Sequence, residues 1–245
     1  MSPIEFKTGV IKPIECYKEG WELIKNDYWL FLGITIVGML LAGFSFYILY
    51  GAMFCGIYYC IQQKYNHRPF SFADLFKGFE VFLPGFIVSL FFIVPQIIIT
   101  IGNFAFQIII QAEMRRSGDM RIVWTYLGIY MSVISVLAII MTCFHALITF
   151  AFPLIIEYKM SGLDALRLSA RAAWANIGGV IGLVLCQFGL MLLGLLACYF
   201  GVFFVLPLPF AAFYMAYRKV FPSNYEMSFD VPPAPNEFPY SGQMI

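Results

Sequence analysis

The chain has 245 residues, of which 61% are hydrophobic and 12% are charged, and its formal net charge is +1. A mean hydropathy of +0.82 excludes an ordinary soluble domain, and the near-neutral charge offers no basic surface for nucleic acid. We therefore predict an all-α integral membrane protein without a nucleic-acid partner.

Four stretches contain no Asp, Glu, Lys or Arg, namely residues 28–63, 81–112, 122–156 and 172–217. A membrane helix needs about 20 residues, so the first and last stretches are each long enough for a two-helix hairpin. We expect turns near 43–45 and 199–201. The two middle stretches predict single long helices, with Pro84 and Pro95 as candidate kinks. This reading predicts about six spans.

The basic residues support the same count. With six spans and a cytoplasmic N-terminus, twelve Lys and Arg residues are cytoplasmic, and only Arg115, Arg116 and Arg121 lie outside. This distribution obeys the positive-inside rule, whereas a single span over 28–63 would divide the residues about evenly. The first 27 residues lack the apolar run and cleavage site of a signal peptide. We predict that both termini are cytoplasmic.

Three amphipathic segments precede predicted spans. Ser71 and Asp74 fit a capping box, and Phe72, Leu75, Phe76 and Phe79 follow at helical spacing. In a second segment Ser161 and Asp164 also predict a helix cap, and the apolar face consists of Leu163, Leu166, Ala170 and Trp174. A third segment begins after Pro13 with Ile14, Tyr17, Trp21 and Ile24. We predict that all three lie in the cytoplasmic interface, with five aromatic residues as membrane contacts: Trp21, Phe72, Phe76, Phe79 and Trp174.

We divide the chain into a cytoplasmic amphipathic N-terminal segment (1–27), a six-helix membrane domain (28–220) and an extended tail rich in proline and aromatic residues (221–245). An offset of 150 residues aligns Asn26 with Asn176 and Gly51 with Gly201. A duplication of hairpin units 14–65 and 164–219 is therefore an open alternative. The tail's aromatic residues are predicted partner anchors: Phe221, Tyr225, Phe229, Phe238 and Tyr240.

Candidates for chemistry are few. His145 is the one histidine predicted at membrane depth. The other histidine, His67, lies earlier in the chain, in a predicted cytoplasmic loop. Since a six-coordinate haem requires two axial ligands, we favour an imidazole that is hydrogen-bonded to a neighbouring helix over a haem or pigment ligand. No CxxC or metal-ligand spacing occurs, and we predict no catalytic residue and no cofactor other than structural lipids.

The uncharged polar residues at membrane depth leave two interpretations open. Asn103, Gln107 and Gln187 are typical of interhelical hydrogen bonds, and they could instead line a path for an amphiphile. The small-residue patterns Gly178xxxGly182 and Gly128xxxSer132 favour internal helix packing, with a dimer face as the alternative. Glu157 and Lys159 predict a solvated ion pair at the end of the fourth span.

Three motifs together resemble a known group of proteins: SFADLFKGFEVF, FPLIIEYKMSGLDALRLSARAAWANIGGVIGL and YFGVFFVLPLPFAAFYMAYRKVF. They are similar to a prokaryotic group of six-span membrane proteins of unknown function, related to the membrane domain of glycerophosphoryl diester phosphodiesterases. Residues 96–140 depart from this pattern. The resemblance implies a six-span fold in the prokaryotic cytoplasmic (inner) membrane and brings no catalytic residue.

Three hypotheses for function follow. The leading one is a non-enzymatic accessory or scaffold subunit of a larger membrane protein complex, motivated by the predicted absence of buried charge, the interfacial helices and the aromatic tail. The alternative is a carrier, export or immunity-type protein that handles a lipid or a hydrophobic peptide. A cavity lined by Asn103, Gln107 and Gln187 would favour this alternative. A membrane enzyme centred on His145 is the third.

Overall fold

A computed structural model describes residues 4–117, 120–197 and 200–222. The regular structure of these residues is entirely helical. Two 3-10 helices cover Lys25–Asp27 and Phe72–Val81. The α-helices are α1 (Pro13–Ile24), α2 (Tyr28–Phe44), α3 (Tyr50–Tyr65), α4 (Phe82–Ser117), α5 (Met120–Leu147), α6 (Ala151–Tyr158), α7 (Gly162–Ala175), α8 (Ile177–Leu196), α9 (Phe200–Val205) and α10 (Pro207–Val220).

Five helical stretches are long and apolar enough to cross a membrane. They run over Pro13–Phe44, Phe72–Arg116, Val123–Tyr158, Ile177–Leu196 and Phe200–Val220. The predicted all-α fold is therefore confirmed, and the chain is compatible with a multi-pass membrane protein. The helix α3, predicted as the second of six spans, has 16 residues and is not among the five.

The predicted helix breaks agree in part with the structure. The helix α2 ends at Phe44, and Phe46 and Tyr47 take positive φ before α3 begins. Pro95 lies inside the continuous α4. At the last hairpin α8 ends at Leu196 and α9 begins at Phe200, while Tyr199 lies outside the described residues.

The stretch 122–156 belongs to one candidate span, Val123–Tyr158, as predicted, but the helix is interrupted between α5 and α6. Ser169 of α7 explains how the break is stabilised. Its hydroxyl accepts a hydrogen bond from the Phe150 N–H at 3.0 Å and donates to the Leu147 carbonyl oxygen at 2.9 Å. A buried side chain thus satisfies backbone groups that an interrupted helix leaves without partners.

The core lies where α3, α6 and α10 meet. The Phe54 ring packs against Phe152 and Phe210, with ring centroids 5.5 and 5.1 Å away. Further along the same helices, Tyr65 packs edge-on against Tyr214 at 5.7 Å. Aromatic residues from helices distant in sequence therefore hold the three helices together through large buried rings.

Each amphipathic segment packs on one of these three helices. The helix α1 lies on α10, the 3-10 helix Phe72–Val81 lies on α3, and α7 lies on α6 and α4. Gly20 permits the first contact, since a Cβ there would lie 2.8 Å from the Ala212 backbone nitrogen. The amphipathic segments are therefore part of the helical bundle, each with one face packed on a core helix.

The segment 72–81 is a 3-10 helix rather than the predicted α-helix. With three residues per turn, Leu75, Gly78 and Val81 share the buried side. The exposure of Phe72, Phe76 and Phe79 agrees with the predicted outward apolar face, whereas Leu75, which was predicted on the same face, is buried in the bundle.

The other two amphipathic faces also differ from the prediction. In α7 the buried residues include Ala165, Ser169 and Ala172, while Leu163 and Trp174 are exposed. In α1 the buried residues are Cys16, Gly20 and Ile24, while Ile14 and Trp21 are exposed. In each segment the side toward the bundle consists largely of small residues, because the neighbouring helix approaches closely, and large apolar residues lie on the outside.

Both predicted capping motifs are present. The Asp74 carboxylate accepts hydrogen bonds from the Ser71 N–H at 2.7 Å and from the Ser71 hydroxyl at 3.1 Å. The Ser161 hydroxyl oxygen accepts from the Asp164 N–H at 3.2 Å. These side chains satisfy backbone donors at the helix starts.

The proposed duplication stays a prediction. The bounds of α2 shifted by 150 residues fall within α8, and α3 and α9 begin 150 residues apart. The environments of the aligned residues nevertheless differ. Asn26 is exposed and Asn176 is buried. A Cβ on Gly51 would meet the Gly85 backbone, and one on Gly201 would meet Gly194.

Candidate functional site

A buried ion pair joins the ends of α6 and α10. The Arg218 Nη1 donates to both carboxylate oxygens of Glu157 at 2.7 Å, and the Arg218 side chain is only 6% exposed. The Tyr217 hydroxyl donates to the same carboxylate at 2.6 Å. The Arg218 guanidinium also lies 5.1 Å from the centre of the Tyr65 ring. Each charge is thus compensated by a partner and by polarisable rings.

This pair corrects two predictions from the sequence. Glu157 binds Arg218 and not Lys159, and the premise that the chain buries no charge is wrong. The sequence carried no local signal for the contact, because the partners are 61 residues apart and lie at the ends of different apolar stretches. Both residues lie at ends of apolar stretches that were predicted to be cytoplasmic, and this position favoured the prediction that their side chains are solvated.

Asn176 holds the N-terminal segment in place. Its side-chain oxygen accepts from the Gly9 N–H at 2.7 Å, and its amide donates to the Lys7 and Ala172 carbonyl oxygens at 3.0 and 2.9 Å. The Lys7 N–H donates to the Val220 carbonyl oxygen at 2.8 Å. The chain before α1 is therefore fixed between α7 and the end of α10.

An apolar crevice separates α4 from α5. Its volume is about 620 Å³, and its walls include Gly102, Asn103, Tyr130 and Met141. The Tyr130 hydroxyl donates a hydrogen bond to Asn103 Oδ1 across the crevice. The interhelical hydrogen bond predicted for Asn103 is thus present, and the same residue lines a cavity of ligand size.

A second cavity, of about 300 Å³, lies between α5 and α8. His145, Gln187 and Met141 line it, and the ring centroids of His145 and Phe92 are 4.7 Å apart. Met141 borders both cavities. Asn103 and Gln187 thus line different cavities and Gln107 lines neither, so these two cavities do not bring the predicted set of Asn103, Gln107 and Gln187 together. His67 borders a different cavity with Lys64 and Arg68, so the two histidines do not form a pair.

The outer side of α4 carries a polar stripe. Its residues were not predicted from the sequence as a group distinct from the other polar residues. Gln96, Thr100, Gln107 and Gln111 recur at spacings of four, seven and four residues, and all four are exposed. Such spacing places them on one face of an α-helix. The Thr100 hydroxyl donates to the Gln96 carbonyl oxygen at 2.8 Å. Within the described residues no hydrogen bond joins the three glutamine amides to another group.

The small-residue patterns have different surroundings. A Cβ on Gly182 would lie 2.4 Å from Pro13, so this end of the α8 pattern packs against the N-terminal segment, whereas a Cβ on Gly178 would meet nothing within 4 Å. A Cβ on Gly128 would meet nothing within 4 Å, and Ser132 is exposed. The predicted internal packing is therefore correct for the α8 pattern at Gly182 and wrong for the pattern on α5.

The predicted interfacial aromatics form exposed surfaces. Phe76, Phe79, Phe82 and Phe86 stack in series, with successive ring centroids 6.4, 6.3 and 5.8 Å apart. Trp174 is 70% exposed, and Trp21 is also exposed. These exposed positions are consistent with membrane contact.

The predicted partner anchors of the tail are corrected at the first residue. Phe221 is 1% exposed and packs against Phe6, Phe150 and Tyr217, so it is a core residue and offers no surface to a partner. The other four predicted anchors, Tyr225, Phe229, Phe238 and Tyr240, lie outside the described residues.

Comparisons of the chain with protein-family models, with curated proteins and with solved structures find no match. The chain's relation to any family therefore stays a prediction from the three motifs.

Proposed function

We propose that the chain is a non-enzymatic accessory or scaffold subunit that binds a transmembrane helix of another membrane protein along α4. The observation that carries this proposal is the exposed stripe of Gln96, Gln107 and Gln111. A primary amide has donors and an acceptor, and lipid chains offer partners for neither. Amides of a second helix would satisfy them and are typical of contacts between membrane helices.

The length of the stripe favours a helix over a lipid headgroup. Gln96 and Gln111 are 15 residues apart, which corresponds to about 22 Å along a helix. A headgroup could meet the amides at one depth only, whereas a parallel or antiparallel helix could contact all three. The charge-free part of α4, residues 82–112, also exceeds one bilayer, because 31 residues span about 46 Å against a hydrocarbon thickness of about 30 Å.

We further propose a six-span arrangement in the prokaryotic inner membrane, with both termini cytoplasmic and the three amphipathic segments in the cytoplasmic interface. The distribution of twelve against three basic residues supports this arrangement, and so do the exposed rings of Phe76, Phe79 and Trp174. It requires α3 to cross the membrane although it has 16 residues.

The test uses mild-detergent extraction from the native membrane at native expression, followed by native-mass sizing. Leucine at Gln96, Gln107 and Gln111 should release a co-migrating membrane protein, while asparagine at the same three positions should retain it in part. Gln187→Leu is the control, because it removes an amide that lies in the α5–α8 cavity. A monodisperse monomer of the unaltered chain, or a partner insensitive to the triple leucine variant, would contradict the proposal.

The alternative, a carrier, export or immunity-type protein for a lipid or a hydrophobic peptide, is favoured by the α4–α5 crevice of about 620 Å³. Gly102→Leu would fill the crevice, since a Cβ there meets nothing within 4 Å. If this function holds, the variant should lose a co-purifying lipid or peptide that the control Gly189→Leu retains. Equal occupancy in both variants would count against it.

A further inference from the structure

The α5–α8 cavity of about 300 Å³ lies within two candidate spans, Val123–Tyr158 and Ile177–Leu196. Among the described residues its wall includes no Asp, Glu, Lys or Arg, and its polar members are Thr142, His145 and Gln187. Thr142 and His145 are exposed and Gln187 is half-buried, so a ligand can reach these side chains from the surface of the bundle.

Two of the three polar side chains have no hydrogen-bond partner within the described part of the chain. The Thr142 hydroxyl donates to the Ala138 carbonyl oxygen at 2.8 Å, whereas the His145 imidazole and the Gln187 amide form no such bond. The hydrogen bond to a neighbouring helix that the sequence predicted for His145 is thus absent from these residues. Lipid chains offer no partner to either group, so both are available to a ligand.

The chemistry of the two groups favours an uncharged ligand with two acceptor oxygens. A neutral imidazole has one N–H donor, and a primary amide has two. The described wall offers no counter-charge to a phosphate or an ammonium headgroup, and a lone charge at this depth is costly. Because His145 lies on α5 and Gln187 on α8, a single hydroxyl would satisfy only one of the donors.

The apolar part of the wall favours a flat ring. Met141, Met191 and Phe188 line the cavity. Methionine sulfur makes favourable contacts with ring edges, and phenyl rings pack against other rings. The volume is at the lower end of the range for ligand pockets, which suits one substituted ring rather than a whole lipid. Phe188 is exposed, so an apolar chain attached to the ring can continue into the bilayer.

We propose that the α5–α8 cavity binds the head ring of a membrane quinone. The His145 imidazole donates to one quinone carbonyl oxygen and the Gln187 amide donates to the other, while the two methionines and Phe188 contact the ring. This ligand site goes beyond the proposed subunit function, and it uses neither the α4 stripe nor the α4–α5 crevice.

The first experiment titrates the detergent-purified full chain with decylubiquinone, decylbenzene and decanol, with a titration of empty micelles to correct for partition. Decylbenzene has no carbonyl oxygen and decanol has one hydroxyl, so each should bind at least about tenfold more weakly than the quinone. Equal affinity of the unaltered chain for decylubiquinone and either other probe would overturn the proposal.

Infrared spectroscopy tests the two hydrogen bonds directly. The carbonyl stretching band of decylubiquinone should lie at lower frequency in the complex than in empty micelles, because a hydrogen bond to oxygen weakens the C=O bond. His145→Phe and Gln187→Leu should each weaken binding about tenfold and move the band back toward its position in micelles. The controls His67→Phe and Gln63→Leu make the same changes in α3 and the turn after it, and they should keep both properties. An unshifted band in the unaltered chain, or equal effects of variants and controls, would contradict the proposal.

Quinone binding and partner binding are separable in the same set of variants. Gln187→Leu should release the quinone and retain the co-migrating membrane protein, whereas leucine at Gln96, Gln107 and Gln111 should release that protein and retain the quinone. Loss of the quinone from the triple leucine variant alone would place the ligand on α4 and overturn the assignment to the α5–α8 cavity.

Discussion

At the scale of single residues, the Glu157–Arg218 pair has the largest predicted effect on stability. Arg218 Nη1 donates to both carboxylate oxygens at 2.7 Å, the arginine is buried, and Tyr217 adds a third hydrogen bond to the carboxylate. In contrast, the Lys77–Glu80 pair on the 3-10 helix is exposed and its charged atoms are 3.3 Å apart. Solvent-exposed pairs of this kind contribute little, because water screens the charges and the side chains stay mobile.

We expect Glu157→Gln to destabilise the protein by about 3–5 kcal/mol, because it leaves the Arg218 charge buried without a counter-ion. Glu80→Gln, which removes one carboxylate charge by the same substitution, should leave the free energy of unfolding nearly unchanged. The measurement is thermal or denaturant unfolding of both purified variants in the same detergent. Equal stability of the two variants would show that the buried pair is not a determinant of folding.

At the scale of elements, the contact between α3 and the 3-10 helix depends on missing side chains. A Cβ on Gly56 would lie 1.8 Å from the Leu75 carbonyl oxygen, and one on Gly78 would lie 1.9 Å from the Ala52 carbonyl oxygen. The two backbones could not approach so closely with any other residue at these positions. This contact also explains why 72–81 takes the 3-10 form, in which every third residue faces α3.

We therefore expect Gly78→Ala to lower the unfolding midpoint and to expose the segment 72–81 to limited proteolysis, since backbone atoms must move to admit the methyl group. Gly189→Ala is the matched control: a Cβ there meets nothing within 4 Å, and alanine favours a helix by up to about 1 kcal/mol in water. If Gly78→Ala and Gly189→Ala had the same effect on both readouts, the close approach would not be important for stability.

At the scale of the whole molecule, the number of spans depends on α3. Its 16 residues correspond to about 24 Å of helix, less than the roughly 30 Å of a typical hydrocarbon core. A short helix can still cross if the bilayer thins around it, at a modest cost in free energy. The loops on either side of α3 decide the question, because they lie on opposite faces of the membrane only if α3 spans.

Single cysteines at Ser45 and Asn66, in a chain whose own cysteines are replaced by serine, should react with an impermeant maleimide from opposite sides. The six-span arrangement predicts that Ser45 labels in intact cells and Asn66 labels only in inverted vesicles. A cysteine at the exposed Thr8, in the N-terminal segment that we propose to be cytoplasmic, is the reference position. Labelling of Ser45 and Asn66 from the same side would show that α3 does not cross.

The sequence alone predicted the features that depend on neighbours within a few residues. Charge-free stretches predicted the apolar helices because the hydropathy of a helix is a property of its own residues. Ser71 with Asp74 and Ser161 with Asp164 predicted caps correctly, since a capping side chain reaches only three residues along the chain.

Tertiary structure decided the contacts between residues distant in sequence. Three features depend on which helices meet. Arg218 is buried against Glu157, Phe221 lies in the core, and Ser169 stabilises the break between α5 and α6. The hydrogen bonds that join Lys7 to Val220 and Gly9 to Asn176 likewise connect residues that are far apart in sequence. Such contacts form where a helix face of large residues packs against a helix face of small residues. The periodicity of one helix predicts its apolar face but does not specify which other helix will cover that face.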